Sequence, residues 1–589
     1  MEINLKTVLI IIGLLIAFLA FTAWQILSQE RRNRARRLER INREWGKMPE
    51  RVYSETQMDS LYPAYVKKMN SGLKVRNRFF IDDITWNDLE MDQIFMHLNN
   101  TQSSAGDEAV YQALREPCFS GEELDRREQL ITYFSTHPKE REKMQMELAK
   151  LGRMKNYSMS DYIDIFMDLH AESNLPHYVT LIFMLIAIAI IPFSLGGVLG
   201  LVLIAMYNIV TYYKQKAKME PYFVCISYVV TLVKQSRALC KAFQGTQELK
   251  DYLGELDRAS ASLNNITGKA AMINNGGAVS DNPAFLLLEY LRISTHIDLI
   301  QFNRILNQVQ TSTTQIQTMM DTIGRLELAI AVASFREMLP MTHCPQFAEN
   351  EAAGTDKSGA GNENKAPILE IKDLYHPLIA EPVANTILTK RPVLLTGSNA
   401  SGKSTFLKTV AINVILAQSI NTVAASSYRA NFFRVFSSMA LRDNLGGEES
   451  YYMVEIRSLK RIVEAAGEQE NPYPVICFID EVLRGTNTVE RIAASSQIMK
   501  TLAECGCMSF AATHDVELTY LLERYYDNYH FREDIEGNDI HFSYCLHEGR
   551  SETRNAIKLL EMMGYDTAIT QKAEATAKHF LNDGKWEMA

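Results

Sequence analysis

Thr396-Gly397-Ser398-Asn399-Ala400-Ser401-Gly402-Lys403-Ser404-Thr405 is the stretch from which the rest of the chain is read. An apolar run, Pro392 to Leu395, leads into it, and a helix-like run, Phe406 to Gln418, leads out. This is G-x-x-x-x-G-K-[ST] between a strand and a helix, the setting the motif requires. Glycine lets the backbone curl until its N–H groups face phosphate oxygens, and the following helix adds its positive end. Lys403 is expected to reach the β- and γ-phosphates, and the Ser404 hydroxyl to ligate Mg²⁺. The stretch reads as a nucleotide-binding phosphate loop.

Further along, Val475 to Ile479 is a continuous apolar strand of the kind buried in parallel sheets, and it ends in Asp480-Glu481. An acid at a strand's carboxyl end can hold the Mg²⁺ shell, and its neighbour can orient or deprotonate a water for in-line attack. Before that strand, Leu445-Gly446-Gly447-Glu448-Glu449-Ser450 is a Gly-rich turn leading into a helix, suited to an anion. After it, Ser509 to Ala512 forms another short strand, ending in Thr513-His514-Asp515, where a histidine can donate to a γ-phosphate oxygen. The four elements in this order indicate an α/β P-loop ATPase domain of the ABC type, using ATP and Mg²⁺.

The chain has 589 residues, room for three or four domains, and 47% hydrophobic content with which to build cores. A net charge of −9 excludes a global basic field, so any nucleic-acid contact must use local patches. The eight cysteines are scattered. Cys505 and Cys507 are the one close pair, half a metal site at best, and are expected to be buried and structural in a reducing compartment.

Val8 to Leu27 carries no charge, reaches Trp24 near its end, and is followed by Arg31, Arg32, Arg34, Arg36, Arg37, Arg40 and Arg43. A bilayer core takes about 20 apolar residues, and arginine marks the cytoplasmic flank. The expected arrangement is a membrane anchor with the N-terminus outside; no small-x-small cleavage site argues for a signal peptide. Tyr178 to Tyr213 is a second uncharged run, too long for one span of about 20 residues. Pro192 and the turn Ser194 to Gly197 divide it, and Lys214, Lys216 and Lys218 follow. The expectation is a transmembrane hairpin, Tyr178–Phe193 and Gly196–Tyr213, with a buried core helix pair as the alternative.

The stretch between these runs is expected to be soluble and helical, with Ser120 and Glu123 closing a capping box. Asp298 to Phe335 is expected to be one long helix, and Asn274 to Gly277 a turn. Phe347 to Lys365 reads as a flexible polar linker. The expected domains are an anchor (1–28), an arginine-rich juxtamembrane segment (29–70) and a long-helical lever or core domain (71–345) interrupted by the hairpin (178–213). A linker (346–365), an ATPase domain (366–550) and a C-terminal helical element (551–589) complete the chain.

Gly397 to Thr405, Asp480-Glu481-Val482-Leu483-Arg484-Gly485-Thr486-Asn487 and Ala512 to Thr519 resemble the ATPase domain of the MutS family of DNA mismatch-repair proteins. Tyr375-His376-Pro377-Leu378, Asp443 to Ile456 and Asn555 to Gly564 are similar to that family's preceding segment, signature loop with its helix, and dimerisation element. Gly106–Phe134 and Ile323–Glu337 resemble the start and end of its lever domain. The resemblance implies that Gly397, Ser398, Asn399, Ala400, Ser401, Gly402, Lys403, Ser404 and Thr405 hold phosphate, and that Ser404 and Asp480 serve Mg²⁺. It further implies that Glu481 activates water, His514 senses the γ-phosphate, and Ser450 reaches a partner's nucleotide across a homodimer. His376 or Asn385 would lie against the base. The chain departs from the family at Ser398, where proline is usual, at Ala400-Ser401, at Leu483, where glycine is usual, and at Asn487.

The first seventy residues leave no room for a mismatch-recognition domain, so mismatch reading is not expected. The expected function is a membrane-anchored, dimeric MutS-like ATPase of the inner membrane, multi-pass, with its ATPase domain cytoplasmic and its levers on double-stranded DNA. The alternative is a nucleotide-driven membrane switch or scaffold acting on an unknown protein partner. A transporter is disfavoured, because the spans carry little polarity to line a pathway.

Overall fold

The computed structural model describes residues 5–62, 78–154, 173–263, 292–348, 367–398, 401–439, 451–468, 471–536, 539–551 and 563–583, with a few isolated residues between them. The chain divides into two compact units: Met1–Ser71, Leu98–Gln112 and Glu128–Met338 form the first, and Gly72–His97, Ala113–Arg127 and Leu339–Ala589 form the second.

The first unit is helical. Its Thr313–Met338 helix buries Ile316, Met319, Met320, Ile323, Leu326 and Ile330, a helical repeat of apolar positions. Gly324 sits where a Cβ would lie 2.7 Å from the Ala109 side chain and 2.9 Å from the Ala105 carbonyl, so the Ser104–Arg115 helix crosses there with no room for a side chain. The long helix expected from Asp298 to Phe335 is broken. The structure has Ile297–Gln310 and Thr313–Met338 with a turn between them. At the break the Thr311 hydroxyl donates to the carbonyls of Asn307 and Gln308, competing with the backbone ladder.

Beneath these helices lies a buried polar cluster. Asp107 accepts from Thr101 Oγ1 (2.6 Å) and Asn99 Nδ2 (3.0 Å) and pairs with Arg153 (2.8 Å). Burial pushes its pKa up, but Arg153 and Arg51 outweigh that and hold it low. Glu327 accepts from the Gln102 N–H (2.6 Å) and the Ser103 hydroxyl, and burial raises its pKa to about 7.

Leu175–Ile190 and Leu195–Ala242 form an antiparallel apolar hairpin. The second helix has 48 residues, about 72 Å at 1.5 Å per residue, and runs from the hairpin on into the helical unit. Large apolar side chains stand exposed along both arms, among them Phe183 (56%), Leu199 (64%) and Val210 (67%), and at the turn between them Phe193 (89%). Among the described residues, only Leu195–Met219 is a helix long and apolar enough to cross a membrane; Leu175–Ile190 is shorter. The run Val8–Leu27 lies within the Leu5–Glu44 helix, but most of its side chains fall outside the described residues.

The second unit is α/β. Its strands are β1 (Gln346–Phe347), β2 (Leu369–Leu374), β3 (Asn385–Thr389), β4 (Val393–Thr396), β5 (Ser427–Ala430), β6 (Arg434–Ser438), β7 (Val475–Asp480), β8 (Met508–Ala512), β9 (Asp527–His530), β10 (Glu533–Glu536), β11 (Asp539–Phe542) and β12 (His547–Glu548). The main sheet has the order β12-β9-β4-β8-β7-β6, parallel except for β12. β4, β7 and β8 are buried almost throughout, which explains their unbroken apolar sequences. The order β1-β5-β2-β3 makes a second sheet, and β10-β11 is a separate hairpin.

The segments 78–97 and 113–127 pack into this unit, whereas the sequence placed all of 71–345 in the helical domain. They cover the edge of the main sheet. Asp88 Oδ2 accepts from the Ser437 hydroxyl (2.7 Å) and the Met439 N–H (2.9 Å), and Phe79 packs edge-on against Phe436 of β6. Phe119 stacks on Tyr473 at 4.3 Å. These are contacts between residues hundreds of positions apart, invisible to local periodicity. At the start of the Gly121–Thr136 helix, Ser120 Oγ accepts from the Glu123 N–H (3.4 Å), while the Glu123 carboxylate turns to Arg127. Ser120 does cap the helix; its own N–H goes to Cys118 Sγ (3.4 Å). Cys507 is buried beside Cys477, but Cys505 is exposed, contrary to expectation, because it falls at the solvent end of the Thr488–Glu504 helix.

Candidate functional site

The carboxyl ends of β4, β7 and β8 meet at one edge of the main sheet, the place where parallel sheets hold ligands. Backbone bonds align them: the Glu481 N–H donates to the Ala512 carbonyl (3.0 Å) and the Thr513 N–H to the Leu395 carbonyl (2.9 Å). The phosphate loop leaves β4 here and enters the Lys403–Ile420 helix. Gly397 (φ +141°) and Gly402 (φ +99°) take conformations that side chains avoid. A Cβ at Gly397 would lie 2.7 Å from the Phe531 carbonyl, so the loop's curvature depends on glycine there.

Within the loop, Ser401 Oγ donates to the Ser398 carbonyl (2.8 Å), and the Lys403 ammonium donates to the carbonyls of Gly397 (2.6 Å) and Ser398 (2.7 Å). Burial lowers the Lys403 pKa, opposed by the nearby carboxylates of Asp480, Glu481 and Glu533. Ser404 Oγ donates to Asp480 Oδ2 at 2.5 Å, bringing together a hydroxyl and a carboxylate from different elements. Two hard oxygen donors at the mouth of a phosphate loop fit Mg²⁺, which binds one or two protein oxygens and keeps several waters. Thr405 takes its place in the first turn of the helix. Asn399, Ala400 and Ser450 lie outside the described residues.

Glu481 sits just past β7 with φ +60°, and Leu483 repeats that value. Non-glycine residues avoid this region at a cost on the order of 1–2 kcal/mol each. The Glu481 carboxylate is bracketed by His514 Nε2 (2.5 Å) on one side and Arg484 Nε (2.6 Å) on the other. Its pKa is held low, first by the hydrogen bond from His514 and then, against burial, by the Arg484 charge. The carboxylate is therefore ionised at neutral pH, as an acceptor of a water's proton must be. His514 is anchored through its neighbour: Asp515 takes a bidentate pair from Arg491 (2.6 and 2.9 Å).

His376 lies apart from this cluster, half-buried. Burial and then the Lys408 charge lower its pKa to about 4, and Nδ1 accepts from the Leu378 N–H (3.3 Å). Asn385 is committed to the 544–546 loop, with Nδ2 to the Tyr544 carbonyl (3.0 Å) and Oδ1 from the Leu546 N–H (2.7 Å). Three residues of the site escaped the sequence reading. Arg484 and Glu455 stood inside quoted motifs without an assigned role. Glu533 accepts from Ser398 Oγ (2.8 Å) and comes from the β10–β11 hairpin, which no motif announces. A cleft of about 1520 Å³ runs past Gly397, Ser398, His514 and Glu533 toward Arg550.

Residues 393–581 match the family model of MutS domain V. The carboxyl-terminal part of this chain is a MutS domain V, a P-loop ATPase domain. Its relatives include the DNA mismatch repair protein MutS of Thermotoga petrophila, 29% identical over 229 residues, covering 37% of this chain and 28% of the relative. The MutS of Natronomonas pharaonis is 31% identical over 190 residues, covering 32% of this chain and 22% of the relative. That of Thermus thermophilus is 28% identical over 212 residues, covering 35% and 26%. The chain thus spans less than a third of the length of these curated relatives. The MutS domain V match begins at β4, with the phosphate loop, and runs through Asp480, Glu481 and His514.

Proposed function

We propose that this protein is a membrane-anchored MutS-like ATPase that binds and hydrolyses Mg·ATP as a homodimer and moves its helical arms on double-stranded DNA. The observation that carries the reading is the convergence of Ser404, Asp480, Glu481 and His514 at the ends of three adjacent strands. In it, the phosphate loop and Lys403 bind the triphosphate, and Ser404 and Asp480 hold Mg²⁺. When bound, Mg²⁺ neutralises charge on the transferred phosphoryl group. Glu481, fixed between His514 and Arg484, orients the attacking water and accepts its proton. His514 faces the γ-phosphate, and Ser450 completes the partner copy's site. The membrane is the inner membrane, with the N-terminus outside and the ATPase domain cytoplasmic.

The first test is the hydrolytic step. Glu481→Gln is expected to retain Mg·ATP while turnover falls by about a hundredfold or more, because positioning survives and proton acceptance does not. Lys403→Ala is expected to lose nucleotide affinity itself. Unchanged hydrolysis by Glu481→Gln would remove Glu481 from the role. A second reading, a nucleotide-driven membrane switch acting on a protein partner, is favoured by the exposed apolar hairpin and the acidic net charge. Crosslinking in membranes separates the two by whether duplex DNA or a protein is captured.

A further inference from the structure

The turn that carries Glu481 is strained twice, at Glu481 and at Leu483, and something must hold it. The holder is on a different element. Glu455, on the Tyr451–Ala466 helix, is buried, and its Oε1 accepts from the N–H of Leu483 (2.5 Å) and the N–H of Arg484 (3.3 Å). Nearby on the same helix, Tyr452 packs over Gly485, 3.1 Å from where a Cβ would stand. A buried donor without an acceptor is costly. The carboxylate is thus the counterpart that allows the left-handed backbone at Leu483 to persist. Arg484, whose N–H it takes, is the same residue whose guanidinium grips the Glu481 carboxylate.

We propose that Glu455 is a positioning residue for hydrolysis: by accepting both N–H groups of the Leu483–Arg484 turn, it keeps Glu481 between His514 and Arg484. This rests on the ATPase reading given above. In that reading Glu455 is assigned to neither phosphate nor metal and acts only through the turn. It also ties the Tyr451–Ala466 helix to the end of β7, so a shift of that helix is transmitted to the carboxylate that orients water. An acceptor is what the turn requires, and charge is secondary. Burial raises the Glu455 pKa, and its second oxygen is buried without a partner, so a neutral acceptor serves as well.

The experiment compares Glu455→Gln, Glu455→Asp and Glu455→Ala in the full chain, measuring Mg·ATP affinity, turnover at saturation and amide exchange at Leu483 and Arg484. Gln keeps an acceptor at the same reach and is expected to stay within about threefold of wild type. Ala is expected to lower saturated turnover by about tenfold to a hundredfold with Mg·ATP affinity unchanged, and to speed exchange of the two amides. Asp, one methylene short, falls between them and covers the case in which Ala does not fold. Wild-type turnover in Asp or Ala overturns the proposal, as does a loss in Gln equal to that in Ala, or an effect confined to affinity. If wild type binds Mg·ATP without turning it over, the ATPase reading fails. Exchange at Leu483 and Arg484 still decides then whether Glu455 holds the turn.

Discussion

Glu327 and Glu533 show how burial gives a single carboxylate consequences beyond its contacts. Glu327 is buried with its pKa raised from 4.5 to about 7 by loss of water, against two hydrogen bonds that favour the ion. The native state therefore holds a proton that the unfolded chain releases above pH 4.5. Stability falls as pH rises from 4.5 to about 7 and is flat above, a loss on the order of 3 kcal/mol from this group. Asp107 has the opposite sign: its pKa is lowered, so its contribution is present above its ordinary value of 3.8 and is lost in acid. Thermal unfolding across pH 5 to 8 should show the downward slope in wild type and its absence in Glu327→Gln; equal slopes would exclude Glu327 as the source. Glu533 lies against the phosphate loop through Ser398 and adds negative charge where phosphate binds. Glu533→Gln should bind Mg·ATP more tightly, by on the order of 1 kcal/mol or roughly fivefold, a gain that direct titration would register.

Among the elements, the Thr313–Met338 helix meets the Ser104–Arg115 helix at Gly324 with no room for a side chain. Gly324→Val must move a backbone carbonyl and an alanine, and should cost about 1–3 kcal/mol, read as a lower unfolding midpoint. Gly254, on the Lys250–Ala261 helix, has open space around it, so Gly254→Ala should be neutral or stabilising there. The hairpin makes a different kind of prediction. Its side chains are exposed on faces that in water would carry charge. Leu203→Arg places a cation mid-way along the second arm, at a cost of about 3 kcal/mol if lipid surrounds it. Flotation with vesicles should show weakened membrane association of that variant; unchanged flotation would argue that protein, and not lipid, covers the hairpin.

For the molecule as a whole, the proposed work on DNA has to run through backbone phosphates, since the chain carries net negative charge and no broad basic field. Retention of duplex DNA should depend on nucleotide and fall steeply with salt, the slope counting the phosphates contacted. Salt-independent retention, or none at low salt with any nucleotide, would favour the protein-partner reading.

The phosphate loop, the acids ending β7 and the histidine after β8 were legible because each is a contiguous motif. Their chemistry follows from a few neighbouring residues and the strand or helix they interrupt. Apolar runs declared themselves for the same reason. What tertiary structure decided is everything that rests on two distant segments meeting. The strand order sets β4 beside β8 and β8 beside β7, and so brings His514 to Glu481. The acceptor for a strained turn lies on a helix that precedes β7 in the chain. Segments 78–97 and 113–127 leave their neighbours in sequence to close the edge of a sheet. Periodicity reports which face of an element is apolar; it carries no information on which partner that face will find.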